Sequence, residues 1–427
     1  MNRIAMVILS LFFSTFVSSE NIAIVGGQVH TMSSQGTLMS ATVLVKNGKI
    51  ERVVDGVERP AGYNVIDASG KVVTPGFIGA MTSLGLVEVS SSSGVVDASV
   101  EKSPVTNSGA ALDVSYAINP DSTLMAITRL EGMTSAATSI MRSDYMFDGM
   151  GAVISLSGNA PLVKPRAFMS VDVGNDGAEA AGGSRAALWV ALEQMFAEAK
   201  NASNVLSPEK AWYGINTRSD IASLKQVLNG SVPLFMRADR AADIRQIIAF
   251  KQRHPTVRVV LVHGVEAWRE ASALSKADIP VIIDPEYNLP GGFDQMGATL
   301  ANAARLHAAG VKVAIGMDTH NIRLAAQHAG NAVANGLPHE AGIASLTSVP
   351  AEILGVENTL GVLKSGAVAD IVVWSGDPLE VTEAAEVVIS NGNVMQMESR
   401  QTKLRDRYLL LQQTGAEKPS QYYREPN

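Results

Sequence analysis

Between residues 232 and 315 the chain repeats one unit: a short apolar run, a stretch with helical spacing, then another apolar run. The runs are 232–236, 257–262, 279–283 and 311–315, and Ile244, Ile247 and Ile248 recur on one helix face between the first two. Such repetition predicts a parallel sheet with helices outside, because successive parallel strands need a crossover long enough to hold a helix. Upstream, Leu188, Leu192, Met195, Phe196 and Ala199 trace one helix face behind Ser184, whose side chain suits an N-cap. The segment's length favours a closed (β/α)8 barrel of about 250 residues over an open sheet. No Gly-x-Gly-x-x-Gly run follows an early strand, which argues against a dinucleotide-binding sheet.

The two ends read differently. Apolar runs at 22–25, 42–45 and 50–54 include a hairpin signal, Asn47-Gly48, since both residues tolerate positive φ in a two-residue turn. The pattern returns at 371–374 and 387–389, the latter leading through Asn391-Gly392 into Val394. Neither piece is large enough to bury a core alone, so both are expected to form one small β-sandwich. The expected layout is a composite sandwich from 20–75 and 356–400, a barrel over 76–355, and a C-terminal helix and polar tail over 401–427. Residues 90–93 and 174–183 are rich in Ser, Gly, Asp and Ala and read as loops, and 99–165 shows no clear barrel units.

The 427 residues are 46% hydrophobic, enough for one large core and one smaller one. A net charge of −7 with no basic block leaves nothing to neutralise phosphates, so no nucleic-acid partner is expected. Met1 to Ser19 carries one cation, Arg3, then an apolar run, then small residues before Glu20. This is the pattern of a secretory signal cleaved after Ser19, so a periplasmic or secreted protein with no membrane contact after cleavage is expected. The chain has no cysteine, hence no disulfides. The seventeen methionines read as core filler.

Barrel enzymes carry their chemistry where strands end. The side chains there are Met81 and Ser83 after residues 72–78, Arg237 after 232–236, His263 after 257–262 and Asp318 after 311–315. Two ends of this frame resemble the amidohydrolase superfamily, nearest its imidazolonepropionase-like branch. One is Val73-Thr74-Pro75-Gly76-Phe77-Ile78. The other is Leu346-Thr347 with Pro350-Ala351 and Leu354-Gly355, followed by Gly361-Val362-Leu363-Lys364-Ser365-Gly366-Ala367-Val368-Ala369-Asp370-Ile371-Val372.

The resemblance implies a metal-dependent hydrolase whose first strand ends in Asp-x-His-x-His, whose fifth and sixth strands each give a histidine, and whose eighth gives an aspartate that moves protons. Here Gly79, Met81 and Ser83 fall on the first three positions, and Arg237 falls on the fifth-strand histidine. His263 and Asp318 match the sixth and eighth strands, and no fourth-strand lysine is evident. A catalytic zinc normally takes three protein ligands, so the expected cofactor is one divalent metal, zinc first and His263 its ligand, or none.

Each candidate also has a structural reading. Asp318 could be the acid/base, a helix cap or an ion-pair partner of Arg237. His263 could bind substrate or simply be hydrogen-bonded, and His320 and His328 read as helix-surface histidines. Glu88 reads as a solvated loop carboxylate. Two functions compete. One is an exported hydrolase of C–N bonds in small, non-peptide or cyclic amides, with Asp318 as acid/base and Arg237 and His263 on the substrate. The other is a non-catalytic periplasmic binding or scaffold relative that holds an anionic ligand at Arg237. Homo-oligomerisation is compatible with either.

Overall fold

A computed structural model describes residues 21–88, 95–101, 105–158, 161–203, 209, 211–317 and 319–414. The expected signal segment, the loop 90–93, Asp318 and the tail 415–427 lie outside the described residues.

Eight strands form the barrel sheet: β1 (Phe77–Thr82), β2 (Met133–Thr138), β3 (Phe147–Ser155), β4 (Leu162–Asp172), β5 (Leu234–Ala238), β6 (Val259–His263), β7 (Val281–Ile283) and β8 (Val313–Ile315). They neighbour one another in chain order. The ring closes where Met317 N donates to the Met81 carbonyl at 3.2 Å. Strands β4 to β8 are all parallel. Helices Arg185–Asn201, Arg218–Leu228 and Ala241–Arg253 cover them outside, burying Leu188, Leu192, Phe196, Leu224, Ile244 and Ile247 against the outward side chains Leu234, Met236, Val259 and Leu261. Ser184 caps the first of these helices, its Oγ accepting from Ala186 N at 3.2 Å. Inward side chains Phe168, Phe235, Val260, Val262, Ile282 and Ala314 fill the barrel.

Two features depart from expectation. Strand β3 runs antiparallel to both β2 and β4. Its connections, 139–146 and 156–161, are too short for a crossover helix, and short connections force antiparallel neighbours. This removes the strand–helix rhythm from the second half of 99–165, whereas a helix, Thr123–Leu130, does precede β2, which is parallel to β1. Residues 174–183 are not a plain loop either, because Asn175–Ala180 is helical.

The second eight-stranded sheet takes strands from both ends of the chain. Val72–Pro75 lies between Ile22–His30 and Ile371–Trp374, joining the early strands to the late ones. Both Asn-Gly pairs form two-residue turns, with φ of 52° and 75° at Asn47 and Gly48 and 50° and 74° at Asn391 and Gly392. The turns pack together so closely that a Cβ on Gly392 would stand 2.4 Å from Gly48 Cα. Glycine is therefore required there for space as well as for φ. Among the described residues no helix is long and apolar enough to cross a membrane.

Candidate active site

The strand ends of β4, β5 and β6, with the segment after β7, surround a cavity of about 550 Å³ lined by Asp172, Arg237, Asp239, His263, Tyr287 and Gln295, among others. Its position follows from strand periodicity. Phe168 and Phe235 stack inside the barrel with ring centroids 4.2 Å apart, and Asp172 and Arg237 lie further along the same strands, paired in register. Alternation puts them on the inward face, where the barrel opens.

Arg237 is buried. Its Nη1 donates to the Met141 carbonyl at 3.3 Å and lies 3.9 Å from Asp148 Oδ2, on β3. Asp172 Oδ1 accepts from the backbone N–H groups of Gly174 and Gly177, at 2.8 and 3.0 Å, which ties the start of helix Asn175–Ala180 to the cavity wall. Burial pushes the Asp172 carboxyl above its ordinary range, although the Arg237 charge and both N–H groups pull the other way.

His263 ends β6 with φ of 71°, a conformation that costs a non-glycine residue energy and concentrates at functional positions. Its Nδ1 lies 4.0 Å from Asp239 Oδ2. Asp239 is held from two sides, Oδ1 accepting from Val265 N at 3.2 Å and Oδ2 from Gln295 Nε2 at 2.8 Å. The Tyr287 ring stands 6.2 Å from the imidazole, centroid to centroid. Arg237 and His263, expected from sequence, thus share one cavity, and Asp172, Asp239 and Tyr287 join them. Asp172 directly follows an apolar run, the same signal that singled out Arg237 and His263. It was hidden because Gly174–Gly183 read as a loop.

The first-strand positions lie on the opposite side of the mouth and are packed. Met81 and Ser83 are buried, Met81 within the barrel core. A Cβ at Gly79 would stand 2.6 Å from Ile322 Cγ1, so Ile322 occupies the room a side chain would need. A glycine, a thioether and a hydroxyl, with a guanidinium at the fifth-strand position, do not fit a divalent cation, which calls for carboxylate and imidazole donors. Among the described residues no group of three His, Cys, Asp or Glu side chains is arranged to hold a metal.

Among the described residues, Asp148 and Asp172 are carboxylate neighbours of Arg237; Asp318, which sequence offered as its ion-pair partner, lies outside them. His328 is not a helix-surface residue. It is buried on helix Ala325–Ala334 with Nδ1 2.7 Å from Oδ1 of Asp284, the residue after β7. It shares a helix face with buried Ala325, Ala329 and Ala332, a spacing visible in the sequence. Glu88 is exposed and accepts from Asn119 Nδ2 and Ser122 Oγ, at 2.7 and 3.1 Å.

Comparison with known proteins agrees with this frame. The Amidohydrolase family model matches residues 244–397. An amidohydrolase from Thermotoga maritima superposes with a TM-score of 0.77 at 26% identity, covering 88% of this chain and 99% of that one. Amidohydrolase tasK of Hapsidospora irregularis is 49% identical over 57 residues, 13% of this chain and 6% of that protein. A dihydroorotase of Geobacter metallireducens is 45% identical over 58 residues, 14% of this chain and 13% of that protein. The match therefore spans only a small part of these curated relatives' length. The family's sequence pattern in the C-terminal half and the same fold over most of the length make the chain similar to the amidohydrolase superfamily.

Proposed function

We propose that the protein hydrolyses a carbon–nitrogen bond other than a peptide bond, in a small, non-peptide or cyclic amide, without the superfamily's usual metal centre. The observation that carries this reading is the convergence of Arg237, His263, Asp172 and Asp239 on one cavity at the strand ends. Amide hydrolysis needs a base for water, positive charge for the oxygen that becomes anionic, and a proton for the departing nitrogen. His263 suits the first role, since imidazole titrates near neutral pH and Asp239 stands near Nδ1 to orient it. Arg237 suits the second. Asp172 suits the third, because a carboxyl raised by burial holds its proton longer than an exposed one. Asp318 we assign, from its place after the last barrel strand, as a further acid/base.

Within the superfamily we place the chain nearest the imidazolonepropionase-like branch, on the motifs at 73–78 and 361–372. We read Met1 to Ser19 as an export signal, making the protein periplasmic or secreted. The packing around Gly79, Met81 and Ser83 supports a metal site that has degenerated. The competing reading is a binding protein that holds an anion at Arg237.

A panel of N-acyl and cyclic amides given to chelator-treated, full-length protein tests the proposal. Turnover is expected to persist and to fall at least ~100-fold in His263→Asn, the usual scale of a general base. No turnover across the panel, with tight carboxylate binding that requires Arg237, would establish the binding-protein reading instead.

A further inference from the structure

The cavity is unbalanced in charge. Four aspartates line it, Asp172, Asp176, Asp239 and Asp294, against one arginine, Arg237. Among the described residues, the charged neighbours of these groups do not restore the balance. Arg237 also faces Asp148, while Arg185 and Arg240 are shared between Asp294 and Asp243. Three arginines thus meet six aspartates, an excess of negative charge that remains with Asp172 protonated. Asp239 accepts from neutral donors, Gln295 and Val265, which leave its charge in place. A cleft lined mainly by one sign of charge concentrates ligands of the opposite sign.

A second, independent feature points the same way. Tyr287 and Phe293 line the same cavity while 43% and 92% exposed, so their rings are offered at the rim and not spent in the core. Aromatic faces attract cations within about 6 Å, most strongly where water is partly excluded.

Resting on the reading of this cavity as the reactive site, we propose that it selects substrates carrying a cationic nitrogen, an ammonium or guanidinium, seated among the Asp176 and Asp239 carboxylates beside Tyr287 and Phe293. Arg237 then serves the reacting carbonyl and not a substrate carboxylate.

The test compares N-acetyl-lysine, N-acetyl-norleucine and N-acetyl-glutamate 4-nitroanilides as substrates, and the three corresponding N-acetyl amides as ligands by calorimetry. All use the full chain. The lysine compound should lead norleucine at least ~10-fold in kcat/KM or Kd, with glutamate weakest, and the gap should shrink at high salt. Asp176→Asn should narrow the lysine-to-norleucine ratio about threefold. A lysine preference in binding without turnover sustains this inference and sinks the hydrolase reading. Turnover without charge preference does the reverse. Equal or better handling of norleucine or glutamate overturns the inference, as does failure of the lysine compounds both to bind and to react.

Discussion

Asp172 and Arg237 face each other in register across β4 and β5, a carboxylate and a guanidinium on the inward face of a barrel. Arg237 is buried, 3.9 Å from Asp148 and beside Asp172, and removing a buried cation leaves such carboxylates uncompensated. Arg237→Met should therefore lower stability by about 3 kcal/mol, and Arg237→Met with Asp172→Asn should recover about 1 kcal/mol of it. Urea unfolding of the three proteins measures both terms. An Arg237→Met protein as stable as the parent would mean that the guanidinium is solvated and not held among the carboxylates beside it.

Gly79 offers a second check, on the opposite side of the mouth. Any side chain there collides with Ile322, and an aspartate would also place a carboxylate against hydrocarbon. Gly79→Asp should cost about 3 kcal/mol from overpacking and burial of charge together. An unchanged unfolding midpoint would show that Ile322 yields easily and that room for a first-strand ligand persists.

Asp370 carries a pH dependence. It sits where the end sheet meets the barrel, its carbonyl accepting from Gly76 N, and its Oδ1 from Asn391 N at 2.7 Å and Ser390 Oγ at 3.3 Å. Burial pushes its carboxyl from 3.8 to about 6 despite these donors. An acid raised on folding stabilises fully below its unfolded pKa, near 4, and that stability is lost as pH rises through about 6. Asp370→Asn should lack this component. Relative to the parent it should gain roughly 2–3 kcal/mol between pH 4 and pH 7. Urea midpoints of both proteins across that range decide it, and parallel curves would contradict the assignment.

What sequence revealed was local or periodic. Asn47-Gly48 and Asn391-Gly392 need only their own backbone to make a turn, and the parallel strands announce themselves through helices that must cross between them. Even so, Val257, Ile279 and Val311 read as strand but lie just before their ladders, buried where each helix returns to the barrel. Strand β3 was illegible because it joins its neighbours without helices. In the site, Arg237 and His263 were legible as side chains ending apolar runs. Asp239 was not, because its role depends on Gln295, 56 residues away in sequence. The obstruction of Gly79 by Ile322 is likewise a long-range contact that no local pattern records.

The most direct test of the central claim, that chemistry has moved from the first-strand positions to the Arg237–His263 cavity without a resident metal, is the metal content of purified active protein set against its turnover of an amide substrate. The account predicts substoichiometric zinc, manganese and iron with turnover unaffected by chelation. One equivalent of any of these metals, lost together with activity in His263→Asn and restored to the parent by adding the metal back, would contradict it.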